Sequence, residues 1–73
     1  MRRNITDFYG FIVGYTDQDS NGDTIAYSVY GKILGYYRKN RNITTNFYGQ
    51  ILGYGDLTSS LIWDEYYKTH PKK

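Results

Sequence analysis

The chain has no cysteine, one histidine, one proline and no apolar run longer than three residues, as at Phe11-Ile12-Val13. Each absence excludes something. Without thiols there is no disulfide framework, and His70 alone cannot build a structural zinc site, which takes about four Cys or His ligands. The apolar runs fall far below the ~18 to 20 residues of a membrane-spanning helix, so no transmembrane segment is expected. Met1-Arg2-Arg3 runs into Asn4 rather than an apolar leader core, which with the missing cysteines reads as cytoplasmic. Charge is sparse as well: nine Lys and Arg against seven Asp and Glu give a net +2. That field is too weak for a duplex-DNA binder, although Arg2, Arg3, Arg38, Lys39, Arg41, Lys72 and Lys73 are bunched.

Catalytic groups are also scarce. Ser20, Ser28, Ser59 and Ser60 lack a nucleophile-elbow context, and His70 lies in a polar tail. Asp64 and Glu65, adjacent on a predicted helix, point about 100° apart and make no acid–base pair. No glycine-rich phosphate loop joins a strand to a helix. An enzyme is not expected, nor a cofactor or metal. The loop Asp17, Asp19, Asn21, Gly22, Asp23 superficially resembles a calcium loop, but it lacks a glutamate at the twelfth position and flanking helices and reads as a solvated turn.

What is abundant is tyrosine, ten in 73 residues, and a phrase that occurs three times. Phe8-Tyr9-Gly10-Phe11-Ile12-Val13-Gly14-Tyr15, Val29-Tyr30-Gly31-Lys32-Ile33-Leu34-Gly35-Tyr36 and Phe47-Tyr48-Gly49-Gln50-Ile51-Leu52-Gly53-Tyr54 share one pattern. Each reads as a β-hairpin in which Gly10, Gly31 or Gly49 supplies the left-handed residue of the reversal. The incoming strands are predicted at residues 3–8, 24–29 and 43–47 and the outgoing ones at 11–16, 32–37 and 50–54. Strict alternation places Ile12, Ile33 and Ile51 on one face with Gly14, Gly35 and Gly53, and Val13, Leu34 and Leu52 on the other. Arg3-Asn4-Ile5-Thr6 matches Arg41-Asn42-Ile43-Thr44, but Thr45 is an extra residue before the aromatic pair. The slip predicts a bulge or a frayed first strand, with Ile5 and Ile43 on opposite faces.

After Gly55-Asp56 the period changes. Leu57, Leu61, Ile62, Glu65 and Tyr66 fall at helical spacing, predicting a helix over residues 57–69, capped by Asp56 or Thr58 and stopped by Pro71. Leu57, Leu61, Ile62 and Tyr66 would cover the sheet, with Trp63 and Tyr67 to one side. Residues 1–56 and 57–73 thus form one domain: an antiparallel meander of three hairpins and a C-terminal helix. A chain this short buries only roughly 60% of its unfolded surface, so a homo-oligomer is expected to supply the missing stability.

The phrases Asp7-Phe8-Tyr9-Gly10-Phe11-Ile12-Val13-Gly14, Tyr30-Gly31-Lys32-Ile33-Leu34-Gly35 and Asn46-Phe47-Tyr48-Gly49-Gln50-Ile51-Leu52-Gly53, closing on Gly55-Asp56-Leu57 and a short apolar helix, resemble the β-flower family of small bacterial and phage proteins. The resemblance covers nearly the whole chain. It implies hairpins radiating as a shallow barrel around a hydrophobic helix, with a distant likeness to the tubby barrel, and no assigned activity. The usual arginine after Tyr-Gly is replaced here by Phe11, Lys32 and Gln50, so no ring of arginines carries over.

Function is then expected from surface chemistry. Tyr9, Tyr30 and Tyr48 at the hairpin tips, with Lys32, Arg38, Lys39 and Arg41 nearby, would offer stacking faces and cations to a nucleotide-like anionic aromatic ligand. Such a non-catalytic homo-oligomer would act by sequestration, as small phage proteins do with nucleotide immune signals. Two alternatives stand beside it. Leu61, Trp63, Tyr66 and Tyr67 could form an oligomer or partner interface, and Arg2, Arg3 and the terminal lysines could meet a membrane surface. The plain alternative for each tyrosine is cross-strand packing.

Overall fold

The computed structural model describes residues 1–69, without the side chain of Thr69; His70 and the Pro71 stop lie outside the described residues. Its hairpins are built on a side-chain-closed reversal. In Asp7-Phe8-Tyr9-Gly10-Phe11 the Asp7 carboxylate accepts from the backbone N–H of Tyr9 and of Phe11, both at 2.9 Å, while Gly10 N–H donates to Asp7 O and Asp7 N–H to Phe11 O. Ser28 Oγ does the same for Tyr30 and Lys32, and Asn46 Oδ1 for Tyr48 and Gln50. Short polar side chains that mimic a backbone acceptor favour such turns. Gly10 and Gly49 have φ +87° with nothing within 4 Å of a Cβ placed on them. Backbone conformation, not crowding, demands glycine there.

Six antiparallel strands follow one another in order across a single sheet: β1 (Arg2–Thr6), β2 (Ile12–Gln18), β3 (Thr24–Ser28), β4 (Ile33–Arg38), β5 (Ile43–Asn46) and β6 (Ile51–Tyr54). The sheet is open, with β1 and β6 as its edges, so the barrel expected from the resemblance is not closed. A six-strand barrel has interior room only for side chains. Here a helix occupies one face.

Strict alternation fails at one place in every hairpin. Ile5 pairs Gly14 and the next residue, Thr6, pairs Ile12, leaving Val13 as the extra residue of a bulge. Leu34 is skipped in the same way between Gly35 and Ile33, and Leu52 between Gly53 and Ile51. A bulge turns two consecutive side chains toward one face. Val13 accordingly packs with Ile62 of the helix, and a Cβ on Gly14 would meet Ile62 as well. The expected split of Val13 and Leu34 from the glycines is therefore wrong, and the expected bulge lies in the outgoing strands. The predicted slip is present: Ile5 pairs the Gly14 of its hairpin, but Thr44, not Ile43, pairs Gly53.

Helix α1 (Thr58–Thr69) starts where Asp56 Oδ1 accepts from Thr58 N–H at 3.0 Å. The fully buried Thr44 hydroxyl fixes the approach, donating to Gly55 O at 2.6 Å and accepting from Leu57 N–H at 3.0 Å. The helix then lies across β2, β3 and β4. Ile62 and Leu61 stand over Gly14 and Gly35, and Leu57, just before the helix, over Gly53. Glycine at these positions lets the chain approach the strands closely. The core is small: Val13, Ala26 and Ile62 are buried together, with Ile5, Leu34, Leu61, Trp63 and Tyr66 packed against them.

Candidate functional site

A meander of alternating strands sorts its connections by end. The three phrase reversals lie at one end of the sheet; the β2–β3 and β4–β5 loops, the start of β1 and the start of α1 lie at the other. Tyr9, Tyr30 and Tyr48 are therefore brought to a common end, 77–84% exposed. Each follows another apolar residue: Phe8 meets Tyr9 edge-to-face at 5.9 Å and Phe47 meets Tyr48 at 5.5 Å, with Val29 in the middle copy. The far part of α1 reaches this end, where Glu65 Oε2 lies 3.9 Å from Lys32 Nζ. Between the second and third hairpins and this part of the helix runs an open groove of about 530 Å³, its lining including Lys32, Ile33, Leu34, Phe47, Tyr48 and Glu65.

Arg38, Lys39 and Arg41 are not part of it. They occupy the end of β4 and the following loop, and a six-residue strand such as β4 extends roughly 17 Å at about 3.4 Å per step. Nearness in sequence became distance along a strand. Arg38 lies over the Tyr36 ring at 5.0 Å and reaches Asp23 Oδ2 at 3.3 Å, and Lys39 N–H donates to Asp23 Oδ1 at 3.0 Å. These contacts knit the two loops of that end together, with Arg41 exposed in the turn.

Of the four residues expected at an interface, Leu61, Trp63 and Tyr66 pack against the core and Tyr67 is 49% exposed, stacked on Trp63 at 5.6 Å. The acidic loop is a fourth copy of the hairpin turn. Asp19 Oδ1 accepts from Asn21 N–H at 2.9 Å and Asp23 N–H at 3.1 Å, Gly22 N–H donates to Asp19 O, and Gly22 has φ +88°. Its carboxylates are taken by protein donors, Asp17 by the N-terminal ammonium, Asp19 by backbone amides and Asp23 by Arg38 and the Lys39 amide, and among the described residues no group of three or more His, Cys, Asp or Glu could hold a metal. Among those residues, too, no helix is long and apolar enough to cross a membrane.

Sequence reasoning expects Phe11 to face solvent but leaves Phe8, Phe11 and Phe47, 97%, 69% and 54% exposed, out of the candidate site. The available signal was position: a residue inside a tight reversal cannot reach the core. It also missed the outer sheet face, where Tyr15 and Tyr27 stack at 4.8 Å and Arg2 covers Tyr15 at 4.5 Å. Comparison of the chain with protein-family models, curated proteins and solved structures finds no match.

Proposed function

We propose that the chain is a non-catalytic, self-associating binding protein that holds a small anionic aromatic molecule of the nucleotide class in the groove between its second and third hairpins, and acts by sequestering it. The observation that carries this reading is the groove itself, which combines the rings of Phe47 and Tyr48, the apolar Ile33 and Leu34, and the ammonium of Lys32. Its volume of about 530 Å³ falls within the range of small-molecule sites, roughly 300–1,000 Å³. A base stacks on an aromatic face whatever its identity, and a phosphate draws Lys32 from its long contact with Glu65. The groove's carboxylate, Glu65, faces that ammonium at 3.9 Å, and an anionic ligand must take its place beside Lys32.

Isothermal titration with nucleoside phosphates and cyclic oligonucleotides tests it. Tyr48→Ala should weaken binding by about five- to 150-fold, given roughly 1–3 kcal/mol per stacked base. Lys32→Ala should weaken it by about tenfold or more, while Tyr9→Phe, outside the groove, leaves it unchanged. Absence of binding across the panel, or wild-type affinity in both groove variants, refutes the reading.

A further inference from the structure

The same side-chain-closed turn is used four times, in two vocabularies. At the far end its two central residues are Ser20 and Asn21; at the near end they are Phe8-Tyr9, Val29-Tyr30 and Phe47-Tyr48. The backbone geometry is therefore satisfied by polar residues, and the aromatics add nothing that the turn requires. Six rings at or beside the tips, Phe8, Tyr9, Phe11, Tyr30, Phe47 and Tyr48, are 54–97% exposed. At roughly 200 Å² per aromatic side chain, they leave on the order of 900 Å² in water. Summed over the three tips, that is an upper limit on what tip-to-tip contact can bury, and it is of the same order as the roughly 800 Å² per partner of a standard interface.

We infer that the three tips are a self-association surface, on which a second copy of this chain docks tip to tip. The inference rests on the self-association part of the reading above and not on its ligand. Three observations select a second copy as the occupant. The exposed rings supply area of the order a dimer needs, and a two-fold pairing buries the same surface on both chains. The core holds too few buried side chains to stabilise a 73-residue chain generously. Charge is absent where repulsion would matter: among residues 8–11, 29–32 and 47–50 only Lys32 is charged, and Glu65 faces it. An anionic membrane is the poorer fit, because Arg2, Arg3, Arg38, Lys39 and Arg41, five of the nine cationic side chains, belong to the opposite end. The tips are also built to lose water cheaply, since the amides of Tyr9, Phe11, Tyr30, Lys32, Tyr48 and Gln50 are already bonded within their turns.

Analytical ultracentrifugation over a wide concentration range tests this. The wild type should pass from 8.6 kDa to twice that mass. The variant Phe8→Ser, Tyr9→Asn, Phe47→Ser, Tyr48→Asn carries the residues that the far-end turn already accommodates, and should remain monomeric with an unchanged circular dichroism spectrum. Tyr9→Arg, on a ring 83% exposed, is the second variant and should raise the dissociation constant at least tenfold. A wild type monomeric at every concentration, or variants that associate as tightly as the wild type, overturns the inference. So does a monomeric wild type that floats with phosphatidylcholine vesicles, which would assign the tips to lipid. Lys32→Ala separates the two readings: it should weaken nucleotide binding by about tenfold or more and keep the dimer.

Discussion

Adding one methyl group at the second glycine of each repeat should give unequal losses, because Gly14 and Gly35 lie under Ile62 and Leu61 of α1 and close to strand backbone, whereas Gly53 lies only under Leu57, just before the helix. A Cβ at Gly35 would overlap the backbone oxygen of Thr45 and lie 2.7 Å from Leu61 Cδ1. At Gly14 it would stand 2.7 Å from the backbone oxygen of Tyr27 and 2.5 Å from Ile62 Cγ2. At Gly53 it would meet the Leu57 Cδ1 methyl alone, at 2.8 Å. None of the three has a positive φ, so alanine suffers no backbone strain and gains about 0.4–1 kcal/mol from a stiffer unfolded chain. Overpacking against backbone costs about 1–3 kcal/mol or somewhat more, whereas a terminal methyl can rotate away. Gly35→Ala and Gly14→Ala should each lose about 2 kcal/mol, and Gly53→Ala should stay within about 0.5 kcal/mol of the wild type. The whole domain holds roughly 4–11 kcal/mol at about 0.05–0.15 kcal/mol per residue, so the first two losses are large. Urea unfolding followed by the fluorescence of Trp63, the chain's one tryptophan, reads the difference as a midpoint lowered by about 2 M for a slope near 1 kcal/mol/M. Equal losses at Gly53 and Gly35, or a wild-type midpoint for Gly35→Ala, would refute the seating of Leu57, Leu61 and Ile62 on a stripe of glycines.

Two further outcomes follow from single hydroxyls. Thr44→Val keeps the shape but leaves Gly55 O and Leu57 N–H without their partner; it should cost about 2 kcal/mol in urea unfolding, against less than about 0.5 kcal/mol for the exposed Ser60→Ala. Ser28→Ala removes the acceptor for the amides of Tyr30 and Lys32 and should cost about 1 kcal/mol, with hydrogen exchange faster at those two amides and unchanged at Tyr9 and Tyr48.

The hairpin count and the helix were legible because both rest on local rules. A phrase that repeats with an invariant glycine marks a reversal, and a switch from period two to period 3.6 marks a helix. The bulges were not legible, because Ile12-Val13-Gly14 satisfies the alternation rule as well as it satisfies a bulge. What decides between them is the partner strand and the helix above it: Val13 and a Cβ on Gly14 both face Ile62, and Ile62 lies 48 residues further along the chain. A local pattern cannot choose between two registers when the arbiter is that remote.

The candidate site failed to assemble as expected for a related reason. Lys32 and Arg38 are six positions apart in sequence, and in a helix that spacing would leave them within two turns of each other. On β4 it sends them to opposite ends of the sheet. The aromatic tips escaped this error because each lies inside its own turn, and all three turns fall on the same side of an even count of strands. The fourth turn is read as a turn from its sequence, and its likeness to the other three was legible by the same rule: Asp7, Asp19, Ser28 and Asn46 each precede a glycine by three residues, at Gly10, Gly22, Gly31 and Gly49. Aligning those four pentapeptides instead of the three longer phrases separates what the turn requires from what it merely carries. The first and fourth positions answer to backbone geometry; the second and third are free, polar once and aromatic or aliphatic three times. Freedom at a position that the fold does not constrain is where a binding surface can be written, and only the near end uses it.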